Sequence, residues 1–200
     1  MPSLGFAHLN ELSFHINDYK YYDFSKFPTF SFLHGIFIKL LLFLNIPVNF
    51  YTYRLFPFIS LSLLFFISFK LIELLEFNKK VIIYKKLLFL ILISVTPFSM
   101  LYMCNRPEVL GLVFLVSFIF FYIKSKKINS NKKSYLFFSG FFLSLSITTH
   151  PIFLFLNFFL VPLILFRTFR SDIIPFLLGT IISVIFFLFF YYKHFPTSTD

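Results

Sequence analysis

The chain alternates long runs without charge and short stretches rich in lysine. Such runs are apolar all round a helix rather than on one stripe, the pattern of segments surrounded by lipid. The first run, 29–46, is interrupted by His34, Gly35 and Lys39. A lysine in mid-span costs about 3 kcal/mol on insertion scales. This run therefore reads as a juxtamembrane helix lying at the interface, with Lys39 reaching the headgroups along its aliphatic stem, rather than as a span. A turn follows at 45–49 around Pro47. The first span is expected at 53–75, with Arg54 near one end and Lys70, Glu73 and Glu76 near the other. Lys70 and Glu73, three apart, share a helix face and can pair.

The second span is expected at 87–104, with Pro97 inside it as a place for a kink, and the third at 108–123. Between them lies Asn105-Arg106-Pro107-Glu108. Proline lacks a backbone donor and disfavours helix at the residue before it, so a helix should stop here. The next should start near Glu108, whose carboxylate suits a helix N-terminus. Residues 135–166 carry no charge if His150 is neutral. That stretch is too long for one span and short for two. Thr148-Thr149-His150-Pro151 breaks it, predicting two short helices that meet there. The last span is expected at 173–192, followed by a polar tail.

The fold class predicted is all-α: a polytopic membrane helix bundle of about six spans plus the interfacial helix. Its parts are a polar segment 1–28, the juxtamembrane helix and turn 29–50, the helical domain 51–193 and the tail 194–200. Charge orients it. The loops 78–86, 124–133 and 167–172 hold four, five and two Lys or Arg, eleven of the chain's eighteen. Placing them in the cytoplasm satisfies the positive-inside bias without exception. Residues 1–50 then lie outside the cytoplasm, and a further span ahead of them is expected.

Composition narrows the class. A chain 58% apolar and 13% charged, with mean hydropathy +0.87, is no soluble domain. The 37 Phe with no Trp are what an AT-rich coding sequence would leave. The net charge of +10 sits in short loops between apolar runs, which argues for a lipid bilayer as partner and against nucleic acid. The single cysteine, Cys104, excludes an internal disulfide and any zinc site built from several cysteines. Residues 1–28 are polar and aromatic, with no positively charged n-region leading into an apolar run, so no cleavable signal peptide is read there.

On this orientation one face collects Asp23, His34, Lys39, Arg54, Asn105, Arg106, Glu108 and His150. An enzyme acting on a membrane-carried phosphate needs such a set. A carboxylate can deprotonate an acceptor hydroxyl, and Arg or Lys can neutralise a phosphate leaving group. Arginine's planar fork suits phosphate. Each residue also has a plain structural role. Arg54 can anchor its helix at the headgroups, Asp23 can cap a short helix, and His150 can end a helix by bonding backbone. His34 and Lys39, five apart, do not share a helix face well. Glu73 and Glu76 read as paired charges. No phosphate-cradling glycine loop, HExxH, nucleophile elbow or calcium loop occurs.

Several of these segments resemble the GT-C membrane glycosyltransferases, relatives of the protein O-mannosyltransferases and of the enzyme adding aminoarabinose to lipid A. The likeness rests on Tyr22-Asp23-Phe24 leading to Pro28, the small turn from Leu44 to Pro47, and Tyr53-Arg54-Leu55 heading a span. Arg106-Pro107-Glu108 resembles the family's R-P-D/E element, and Ser146 to Pro151 its small-residue helix ending in T-K or T-H-P. The resemblance covers roughly residues 20–170, in the right order. It implies transfer of a sugar from a polyprenyl-phosphate donor, with inversion, on the non-cytoplasmic face, and often a divalent metal ion near the acidic site. Carried over, Glu108 and Asp23 are the candidate catalytic residues, and Arg106, Arg54, Lys39 and His150 the candidate substrate contacts, Arg54 toward the donor phosphate.

The chain departs from the family in lacking the opening span and the acidic pair that follows it. The family's later spans are also missing after Asp200. These gaps lead to the expectation of a partial chain, or of a partner subunit supplying the missing N-terminal span. Two other functions compete. A transporter or flippase would place ionisable residues at mid-bilayer. A non-enzymatic membrane protein would act by assembling with a partner. A bacterial inner membrane is the simplest setting.

Overall fold

The computed structural model describes residues 28–48, 50–95, 107–128, 130–150, 152–167 and 170–194. The described residues form seven helices and no strand: α1 (Pro28–Phe43), α2 (Phe50–Leu75), α3 (Lys79–Val95), α4 (Pro107–Lys127), α5 (Lys132–Thr149), α6 (Ile152–Arg167) and α7 (Arg170–His194). The all-α class expected from the sequence is what the described residues adopt. Asp23, Asn105, Arg106, Pro97 and Cys104 lie outside the described residues.

Local chemistry sets most helix ends. Asn45 takes a left-handed φ of 56°. Its N–H reaches the Leu42 carbonyl at 2.9 Å, and the Ile46 N–H reaches that of Leu41 at 2.8 Å. This paired closure ends α1 with an asparagine where glycine is commonest. Asn78 caps α3, its Oδ1 accepting the Lys80 N–H at 3.0 Å. The lysines 79–86 therefore ride on the first turns of a helix, not in the loop expected at 78–86. α4 opens on Pro107 with Glu108 behind it, and closes on Lys124, Lys126 and Lys127. Both charge placements complement the helix dipole. That explains why α4 outruns the apolar stretch 108–123 and absorbs half of the expected lysine loop. Asp172, expected in a loop, sits in the first turn of α7.

α5 is the hub and packs against α1, α4, α6 and α7. Leu115, Phe118, Leu143, Phe153 and Phe176 form the main core between α4, α5, α6 and α7. α5 and α7 cross with their backbones almost touching. A methyl group on Gly140 would land on the Phe176 carbonyl, and one on Gly179 on the Phe137 carbonyl. Thr180 Oγ1 donates across the crossing to the Gly140 carbonyl at 3.2 Å. Small residues that let backbones approach are how helices associate where the surroundings are already apolar.

The contacts sort the helix ends into two groups. Lys127 Nζ donates to the Leu74 carbonyl, so the C-termini of α2 and α4 lie together. Lys132 meets Asp172 at 2.6 Å, joining the starts of α5 and α7 to the same end. Lys85 and Glu76 add the start of α3. At the other end Glu108 opens α4, His150 closes α5, and Thr29 of α1 bonds Thr148 at 2.6 Å. The lysine-rich stretches thus share one end, the grouping the charge pattern predicted.

The exterior is apolar. Phe58, Ile59 and Phe66 on α2, Leu88 and Ile91 on α3, Phe155 and Phe158 on α6, and Ile174 and Ile185 on α7 are exposed. A surface of that kind marks contact with lipid or other apolar matter. Two described helices, Arg54–Leu75 and Pro107–Lys127, are long and apolar enough to cross a membrane. The apolar runs Phe32–Phe43 and Asp172–Phe186 are shorter. Of the six spans expected, two are long and apolar enough among the described residues.

Candidate functional site

The end without lysine clusters is built on two helix termini. Pro107 at the first helical position of α4 places Glu108 one residue in. α5 stops because His150 is extended, at φ −158° and ψ 136°. A residue before proline is pushed into that region. The turn then carries His150 across to α4, where its Nε2 lies 3.6 Å from Glu108 Oε1. The two side chains are only 22% and 20% exposed, so the approach is made largely out of solvent.

The histidine is oriented from behind. Its Nδ1 accepts the Ile152 N–H at 3.2 Å, and its carbonyl accepts the Phe153 N–H at 3.0 Å. A ring nitrogen that accepts carries no proton, so in the neutral imidazole the proton sits on Nε2. The ring therefore points an N–H toward the carboxylate. At 3.6 Å the contact is longer than a hydrogen bond. The backbone role read for His150 and its place beside an acid are both real; one ring does both.

The floor beneath is aromatic. Phe56, Leu110 and Phe114 form a second cluster with Phe30, Phe37 and Leu145 around it. His34 is buried there, stacked on Phe30 at 5.8 Å and 5.0 Å from the Phe56 ring. Burial lowers its pKa from 6.5 to about 4, so it is neutral near pH 7 and serves as a packing residue. Thr148 donates to the Ser144 carbonyl at 2.9 Å, so in the Thr29–Thr148 contact Thr29 is the donor. That bond ties α1 to the turn carrying His150.

Of the residues singled out in the sequence, the structure brings together Glu108 and His150. Arg54, in the first turns of α2, and Lys39, on α1, are both exposed. Lys39 lies off the face that buries His34, Ile38 and Leu41, as an interfacial lysine should. Lys70 and Glu73 pair at 2.9 Å, as their spacing predicted, and Glu76 pairs with Lys85. Asp23 and Arg106 fall outside the described residues. Among the described residues no three His, Cys, Asp or Glu gather into a metal-holding group. Glu108 and His150 supply a carboxylate and an imidazole, both ligand types that a divalent ion takes, and no third such group joins them among the described residues.

Sequence reasoning missed Asn157 and Ser146. Both are buried, and the Asn157 amide donates to Ser146 Oγ at 3.0 Å. The available signal was a lone amide in the apolar run 152–166. No family model, curated protein or solved structure matches this chain.

Proposed function

We propose that this chain is a polytopic membrane protein of the GT-C glycosyltransferase kind, with about six spans. Glu108, with His150 beside it, is its general base on the non-cytoplasmic face, and the lysine-rich end faces the cytoplasm. The observation that carries this reading is the approach of Glu108 to His150, two residues from separate motifs of the resemblance that share no local reason to meet. In the proposed reaction an acceptor hydroxyl gives its proton to the Glu108 carboxylate. Its oxygen attacks C1 of the sugar from the face opposite the phosphate, which inverts the centre. The C1–O bond breaks, and the polyprenyl phosphate leaves with the bonding electrons. His150 acts as a positioning residue, its Nε2–H facing the carboxylate at 3.6 Å. Arg54, with Arg106 and Lys39, would neutralise the leaving phosphate. The setting proposed is a bacterial inner membrane, crossed several times. The flippase reading asks for ionisable groups at mid-bundle. Glu108, His150, Lys132 and Asp172 instead lie at helix ends.

The test is turnover in vesicles containing the purified full chain. The donor is a polyprenyl-phosphate hexose or pentose with a radiolabelled sugar, and the readout is label leaving the lipid fraction. Wild type should release label, and Glu108→Gln should slow release by about 100-fold or more, the scale of a lost general base. A full rate in Glu108→Gln, or no release from either donor class by wild type, would overturn the reading.

A further inference from the structure

Asn157 lies between Phe153 and Val161 on one face of α6, spaced four residues from each. Phe153 belongs to the main core and Val161 packs against it. Asn157 is 1% exposed, an amide inside an apolar surface. Its hydrogen-bond geometry settles which way the amide faces. Ser146 Oγ donates its single proton to the Leu143 carbonyl at 2.9 Å, so toward Asn157 it can only accept. The group facing it at 3.0 Å is therefore the NH₂, and Oδ1 points to the other side. There Oδ1 meets no donor among the described residues.

Buried polar atoms are almost always satisfied, by protein, water or ligand. Of the other buried oxygens of this kind, Glu108 Oε2 belongs to the carboxylate already placed beside His150, and the remaining three have ready answers. The hydroxyls of Ser68 and Ser183 can rotate onto a carbonyl of their own helix. Asp172 Oδ2 lies 2.6 Å from the Lys132 ammonium. An amide oxygen has no proton to place and cannot satisfy itself. It needs a donor from outside.

Its position gives that donor meaning. Phe153 lies against Gly111, one turn inward from Glu108. Ser146 lies one turn before His150. Asn157 therefore sits beneath the Glu108–His150 pair, between α5 and α6. We infer that Asn157 Oδ1 is a binding point for a neutral hydroxyl donor under that pair. The apolar surroundings of Phe153 and Val161 would strand a cation, so the donor is uncharged. The shared chemistry is one O–H, which belongs either to a resident water or to a hydroxyl of the transferred sugar. Only the sugar source rests on the function proposed above.

The experiment is the thermal unfolding midpoint of the full chain in detergent, followed by circular dichroism. It compares wild type, Asn157→Leu and Ser146→Ala. Ser146→Ala removes the bond between the two residues and leaves Oδ1 in place. Asn157→Leu removes both that bond and the hydroxyl site. If Oδ1 is occupied, Asn157→Leu should melt about 2–4 °C below Ser146→Ala, the effect of losing one further buried bond in a chain this size. A gap unchanged by saturating polyprenyl-phosphate mannose assigns the site to water. A gap that widens with that donor assigns it to a sugar hydroxyl. Asn157→Leu melting at or above Ser146→Ala under both conditions would overturn the inference. The midpoint does not depend on turnover, so a chain that transfers no sugar would leave this result standing, and the converse holds too.

Discussion

The two ends of the bundle use the same residue types to opposite effect. At the lysine-rich end the acids are outnumbered, and Glu73 and Glu76 are wet. Glu76 is met by Lys85 at 2.8 Å, and Glu73 by Lys70 and Lys86. The Lys85 ammonium, donating to Glu76, holds that carboxyl below the usual range. These pairs sit at the surface, where water screens them and each adds little. Lys127 crosses to a backbone carbonyl of α2 and lies 4.7 Å from the Phe77 ring. At the other end one acid faces one histidine in a partly closed setting, and the neighbouring imidazole, His34, is locked among aromatic rings. An acid surrounded by cations in water has a structural or orienting role. An acid drawn out of water beside an imidazole is placed to accept a proton. The comparison teaches that burial and the kind of partner, rather than residue type, separate a solvated charge from a candidate base.

The sharpest break of this comparison is to neutralise one glutamate at each end. Glu108→Gln should cost about 100-fold or more in label released from a polyprenyl-phosphate donor, whereas Glu76→Gln should leave that rate within twofold. Equal effects would erase the distinction between the ends. Next in size is the histidine among the rings. An unfolded His34 titrates near 6.5 and the folded one near 4. Between those values the unfolded chain binds more protons, so stability should fall as pH drops from about 6.5 to about 4 and stay level above. The loss is at most about 3 kcal/mol. Denaturant midpoints across that range measure it, and His34→Phe should flatten the curve; an equal slope in the variant would show that other groups carry it.

A smaller effect is expected from the one lysine-end pair that is not fully wet. Asp172 is buried, and Lys132→Ala would strand its carboxylate beside α5. That should cost about 2 kcal/mol in unfolding experiments, less than a fully enclosed pair because Lys132 keeps solvent contact. Re-pairing through Lys132→Arg should restore most of it. The smallest effect closes the series: Glu76→Gln should not move the unfolding midpoint measurably.

Much of the architecture was legible along the chain, for identifiable reasons. The turn after α1 follows from Asn45 and Pro47, and the start of α4 from Pro107. The Lys70–Glu73 pair follows from three-residue spacing. The grouping of lysines at one end follows from their alternation with apolar runs. Helix bounds were less legible where charged residues continue a helix past its apolar stretch. Lys124 to Lys127 extend α4, and Asn78 starts α3 earlier than the hydropathy suggests. The candidate site was half legible. Glu108 and His150 each stood out beside a proline, but nothing in their spacing says that they meet.

By itself the sequence determined the helical class, the points where helices break, and which end gathers the positive charge. Those depend on local backbone preferences and on the cost of placing charge among apolar surroundings, both properties of short segments. Only the tertiary structure decided the rest. The α5–α7 crossing at Gly140 and Gly179 brings backbones together that lie far apart in the chain. The approach of His150 to Glu108 needs α4 and α5 packed antiparallel, with the His150 ring turned by a backbone N–H of α6. The stranded oxygen of Asn157 exists because Ser146 spends its only proton elsewhere. Each depends on geometry between helices, which no single stretch of sequence encodes.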